Sequence, residues 1–167
     1  RLMLIDTCSG VSWIHGSNDG QKGIGLVMLI LIALLPGQYT VNPAFDATKI
    51  AKTLVLIESS RDVLAKPAFE GNKKAEEAAE RLEKVDRILE ETKSLSSLPY
   101  AEQETLRVES LKAASAINKA AKDEDASADN RKILADTEKG SKGAVEFVAL
   151  WVIVAVALAL GVGTMVG

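Results

Sequence analysis

The chain has 167 residues, enough for one ordinary domain, with 47% hydrophobic residues, 4% aromatic residues and a net charge of −3. That balance lacks the basic footprint of a nucleic-acid binder, so no nucleic acid is expected as a partner. A single cysteine, Cys8, excludes an internal disulfide framework, and a single histidine, His15, cannot form a multi-histidine metal site.

The charges are unevenly spread. Residues 37–143 hold 18 of the 20 Lys and Arg and 20 of the 23 Asp and Glu, while residues 2–35 and 144–166 are strongly apolar. A charged block therefore lies between two membrane-like ends. Cys8, in the first of them, is expected to pack as a small hydrophobe. The chain starts at Arg1 without Met or a signal-peptide pattern, and it reads as an internal fragment of a longer protein.

The first element begins with "LMLIDTCSGVSWI", apolar but interrupted by Asp6, Ser9, Gly10 and Ser12. The polar stretch "IHGSNDGQKGIG" follows, and then "LVMLILIALL". The clean apolar run Ile24–Leu35 would be roughly 18 Å long as a helix, too short to cross a bilayer alone. Joined through the polar stretch, residues 2–35 are long enough. The expected object is a broken membrane helix or re-entrant element, unwound around Gly16–Gly20. Irregular backbone at membrane depth survives where it lines a cavity or is buried in protein. A plainer alternative makes Asn18-Asp19-Gly20 a tight turn at the membrane surface, with an anchoring helix behind it.

Pro36-Gly37 stops this element, and "NPAFD" forms a turn able to cap the next. Asp46–Leu64 then carries Ile50, Leu54, Ile57 and Leu64 on one helical face. Lys73–Lys93 carries Ala75, Ala78, Leu82, Val85 and Leu89 at helical spacing, with Glu and Lys outside. "SLPYAEQETL" places a Ser97 cap region and Pro99 before a helix bearing Leu106, Ser110, Ala113, Ile117 and Ala120. "KDEDASAD" reads as a solvated loop, and a short last helix begins near Ser127. Gly140 and Gly143 punctuate the approach to "FVALWVIVAVALALGVGTMV", Phe147–Val166, which would span roughly 30 Å as a transmembrane helix. There is no strand signal. The expected fold is an all-α membrane protein, with residues 1–36 a broken transmembrane helix, 37–143 a soluble bundle of about four helices, and 144–167 a transmembrane helix.

The polar stretch fits no common nucleotide or metal motif. From Gly16 the second glycine of a phosphate-binding loop would fall on Gln21, and Met28 breaks a dinucleotide fingerprint after Gly23 and Gly25. An unwound turn here would offer backbone N–H groups, Ser17, Asn18 and His15 as donors to an anion. Asp19 would repel that anion unless a cation or proton came too, the arrangement that coupled cation–anion transport requires. The charged block has no His, no Cys and no acid–base cluster identified by spacing, so an enzyme is not expected.

"SWIHGSNDGQKGIGLVMLILIALLPGQYTVN" resembles a signature segment of the inorganic phosphate transporter (PiT) family, especially its bacterial low-affinity members. The core is His15-Gly16-Ser17-Asn18-Asp19, continued by Gly20-Gln21-Lys22-Gly23-Ile24-Gly25. "WVIVAVALALGVGTMVG" is similar to a later span of those proteins. The resemblance implies a piece from the C-terminal half of a multi-pass carrier in a bacterial inner membrane, its central loop periplasmic. It implies inorganic phosphate as cargo, free or as a metal–phosphate complex, moved with a proton or sodium ion and without a bound cofactor. Its partners would be the lipid bilayer and the remaining half of the transporter. It implies His15, Gly16, Ser17, Asn18, Gly20 and Gln21 at the substrate, Asn18 and Asp19 at the coupling cation, and Lys22 as a neutralising or interface-reaching charge. A sensor with two membrane segments flanking an extracytoplasmic four-helix bundle is the rival reading. It explains the middle block but not a polar break.

Overall fold

The computed structural model describes residues 2–122 and 127–166, without the side chains at 2, 4–6, 8–10, 12 and 13. The expectation for Cys8 and the middle of the "KDEDASAD" loop, residues 123–126, lie outside the described residues. The chain divides into two compact units, Arg1–Leu35 with Val148–Gly167, and Pro36–Phe147.

In the first unit, α1 runs unbroken over Leu2–Leu34. The expected unwinding at Gly16–Gly20 is therefore corrected, as is the alternative of a turn at Asn18-Asp19-Gly20. Each interior glycine costs about 1 kcal/mol of helix propensity relative to alanine. Opening the helix would instead orphan backbone N–H and C=O groups on both sides of the gap, and among the described residues only Gly71, outside this unit, has a positive φ. Tolerating the glycines is the cheaper solution. The glycines also have a packing use. A Cβ on Gly20 would lie 3.8 Å from Leu160 Cδ1, and one on Gly23 would lie 3.1 Å from Val156 Cγ1. Both contacts are to α7, Leu150–Val166. Close helix approach over small residues is a membrane-helix habit.

The C-terminal helix starts at Leu150, three residues later than Phe147. Its 17 residues rise about 26 Å. Among the described residues no single helix is long and apolar enough to cross a membrane. The apolar side chains of Leu26, Leu29, Leu34, Leu150, Leu158 and Val162 are exposed.

The second unit opens with the single turn α2, Pro36–Tyr39, and is built on α3 (Ala47–Leu64), α4 (Lys73–Glu90), α5 (Tyr100–Ala120) and α6 (Ala128–Val145). Each packs on the next, and α6 returns to α3, closing a four-helix bundle. Caps follow from sequence: Asp46 accepts from the Lys49 amide at 2.9 Å, Asn72 accepts from the amides of Lys74 and Ala75, and Ser127 accepts from that of Asn130. Ser97 does not cap α5. Its hydroxyl donates to Ser94 O, and Pro99 takes the cap position without a side-chain bond. The expected inward faces are buried: Ala75, Ala78, Leu82, Val85 and Leu89 of α4, and Leu106, Ser110, Ala113, Ile117 and Ala120 of α5. Phe45, Phe69, Leu95 and Leu98 from the connections complete the core.

The last bundle helix is not short. It has 18 residues and runs through Gly140 and Gly143. At Gly140 an added Cβ would sit 3.2 Å from Thr53 Oγ1, so this glycine permits close approach of α6 to α3. The helix ends where outside donors take its last carbonyls. Asn42 donates its amide to Ala144 O and its side chain to Gly143 O. Arg107 donates to Val145 O at 2.6 Å, a favourable place for a cation at a helix C-terminus.

Candidate functional site

The helical period sorts the polar stretch of α1 into stripes. His15, Asn18, Asp19 and Lys22 stand at i, i+3, i+4 and i+7 and share one face. All four are exposed. Gly16, Gly20 and Gly23 follow the same spacing on an adjacent stripe, whose last two members meet α7. Ser17 and Gln21, four apart and also exposed, lie on a separate stripe. The structure thus brings together four of the polar signature residues and sets Ser17 and Gln21 apart from them.

The closed helix changes what this face can offer an ion. Its backbone N–H groups are spent on carbonyls one turn back, so an amide nest for an oxyanion is not formed here. What remains is side-chain chemistry. His15 and the Asn18 carboxamide supply neutral donors, Lys22 supplies a positive charge, and Asp19 with the Asn18 carbonyl supplies oxygens suited to a hard cation. Lys22 Nζ lies 3.8 Å from Asp19 Oδ1, with side chains 80% and 60% exposed. Sequence reasoning gave Lys22 a general neutralising role and missed this pair, although the i, i+3 spacing was its signal. Among the described residues no group of three His, Cys, Asp or Glu converges as a metal cluster.

The bundle's polar interior is structural in character. Arg81 donates to both oxygens of the buried Glu109, at 2.9 and 2.8 Å, and that bond raises the guanidinium above its ordinary pKa. Burial pushes the Glu138 carboxyl up, but hydrogen bonds from Lys142 and Asn118 outweigh it and hold the pKa below the usual value. A surface hollow of about 360 Å³ is lined by Lys49, Lys52, Thr53, Asp136 and Lys139.

A family model described as the phosphate transporter family matches residues 1–167. The low-affinity inorganic phosphate transporter PitA of Escherichia coli K12 is 30% identical over 193 residues, covering 100% of this chain and 38% of that protein. A low-affinity inorganic phosphate transporter of Buchnera aphidicola subsp. Acyrthosiphon pisum is 27% identical over 186 residues, with 100% and 37% covered. A second Buchnera protein of that description, from subsp. Schizaphis graminum, is 55% identical over 42 residues, 25% of this chain and 8% of its own length. The chain thus spans 38% or less of these relatives. No solved structure matches it.

Proposed function

The chain belongs to the phosphate transporter family, and we propose that it is part of a multi-pass carrier of a bacterial inner membrane that moves inorganic phosphate together with a proton or a sodium ion. The cargo is the free anion or a neutral metal–phosphate complex, and the bundle faces the periplasm. The observation that carries this reading is the Asn18-Asp19 pair on one face of α1, in a chain whose whole length matches the family.

Asp19 holds the coupling cation. Asn18 serves both ions, its carbonyl toward the cation and its NH₂ toward a phosphate oxygen. His15 adds a donor beside them. Gly20 keeps α1 close to α7, so its part is steric, and Gly16 continues that stripe one turn earlier. Ser17 and Gln21 serve the substrate from their own stripe, with groups from the remaining part of the carrier opposite. That part, together with lipid, covers the exposed apolar side chains of α1 and α7.

The unbroken α1 removes one objection to the sensor reading, since a signalling helix should be continuous. The family match over residues 1–167 favours the carrier. Radiolabelled phosphate uptake separates them, in cells carrying the full-length gene with Asp19→Asn. Accumulation should fall to background at unchanged protein level. Wild-type accumulation by the variant would remove Asp19 from transport and leave the sensor in possession.

A further inference from the structure

We propose that Lys22 is an exchangeable counter-ion: Asp19 holds it in the empty carrier, and it passes to phosphate when the coupling cation neutralises Asp19. This rests on the carrier reading above.

Lys22 is the only Lys or Arg between residues 2 and 48, and residues 147–167 carry no charge. An anion settling on this face of α1 therefore meets one positive charge from the surrounding chain. That charge is already engaged, with Lys22 Nζ 3.8 Å from Asp19 Oδ1. The backbone amides cannot substitute, because α1 is closed over Leu2–Leu34. The pair is suited to exchange. It is longer than a hydrogen bond and open to water, where ion pairs are weak. Phosphate, with more acceptor oxygens than a carboxylate, competes well for an ammonium group once Asp19 is neutralised.

Ionised Asp19 blocks that exchange twice, by holding Lys22 and by repelling the incoming anion. A proton or sodium ion on Asp19 removes both obstacles at once. Each ion then binds more tightly when the other is present, a reciprocal coupling between two sites on one helix face. The ionisable neighbours of Asp19 on this face are His15 and Lys22, and α7 contributes none.

The test uses the purified full-length carrier and inorganic phosphate as the probe. Binding is titrated against sodium at fixed pH, and against pH with the phosphate monoanion held constant. Wild type should show cation-enhanced affinity, of the order of 5- to 150-fold. Lys22→Gln should lose about 10-fold or more in affinity at saturating cation, the expectation for a missing charge-assisted bond, and its enhancement should shrink to what relief of the Asp19 repulsion alone supplies. Lys22→Arg should keep both. Asp19→Asn should bind phosphate equally well with and without the cation. Lys22→Gln that retains the full wild-type enhancement overturns the exchange, and so does Asp19→Asn that still needs the cation or binds no phosphate. Should Lys22→Gln fail to reach the membrane, Lys22→Met, equally uncharged, is measured in its place. Unaltered Lys22→Gln beside uptake-dead Asp19→Asn sinks the exchange only, whereas normal uptake by Asp19→Asn sinks the carrier role itself.

Discussion

Thr137 sits at the centre of the α3–α6 contact, fully buried with Ser60. Its Oγ1 lies 2.6 Å from Ser60 Oγ, 2.9 Å from Leu56 O and 3.0 Å from Ile133 O. A hydroxyl has one proton, so Thr137 works as a relay, accepting from Ser60 and donating to one of the carbonyls. Thr137→Val keeps the shape and deletes the relay. The lost bond is worth about 1 kcal/mol net, and stranding the Ser60 hydroxyl costs about 1–3 kcal/mol more. Ser60 can recover part of this by turning to the carbonyl one turn back in its own helix, so a total near 2 kcal/mol is expected. Ser60→Ala alone should cost about 1 kcal/mol, because Thr137 still has its carbonyls. The double variant should be milder than the sum by about 1–2 kcal/mol, since removing both partners strands neither. Urea unfolding of the Pro36–Phe147 unit, followed by far-UV circular dichroism, measures all three. In a unit of this size Thr137→Val should lower the melting temperature by about 8 °C. A loss under about 0.5 kcal/mol, typical of surface changes, or strict additivity in the double variant would refute the relay.

Two further outcomes follow from the same geometry. Gly16→Ala, with open space at the Cβ, should raise the thermal stability of the full-length carrier in detergent through helix propensity, by up to about 1 kcal/mol. Gly23→Ala should gain less or lose stability, because its Cβ meets Val156 Cγ1 at 3.1 Å, and equal gains at both sites would contradict the α1–α7 contact. Glu138 has a depressed folded-state pKa, so its stabilising contribution is present above the ordinary 4.5 and disappears as pH falls through the lower folded value. Glu138→Gln should therefore be less stable than wild type at neutral pH and draw level in acid. A gap that stays constant with pH in urea midpoints would count against the Lys142–Glu138 bond.

The bundle was legible where burial follows a period. The α4 face repeats every three or four residues against charged neighbours, and all five expected residues are inside. Asp46 was legible as a cap because its side chain mimics a carbonyl for the first free amides. Glycine was the main source of error. At Gly16–Gly20 and again at Gly140 and Gly143 it reads in the sequence as interruption, whereas the helices continue, and Gly20, Gly140 and Gly143 each face a neighbour. That use depends on Val156, Leu160 and Thr53, whose proximity no local pattern announces. Ser60 and Thr137 were equally hidden, since hydroxyls in a helix resemble surface positions until a partner is found inside. At the candidate site the residue types were readable, but their sorting into stripes required knowing that the backbone stays coiled.

Asn42 and Ala144, joined by a 2.8 Å bond, are the point where the bundle both begins and ends. Everything between them is closed at that knot, which the Asn42 side chain on Gly143 O and Arg107 on Val145 O tighten. A designer could excise the bundle at the knot and bridge the stubs with a tight glycine turn, or splice a fluorescent module in its place.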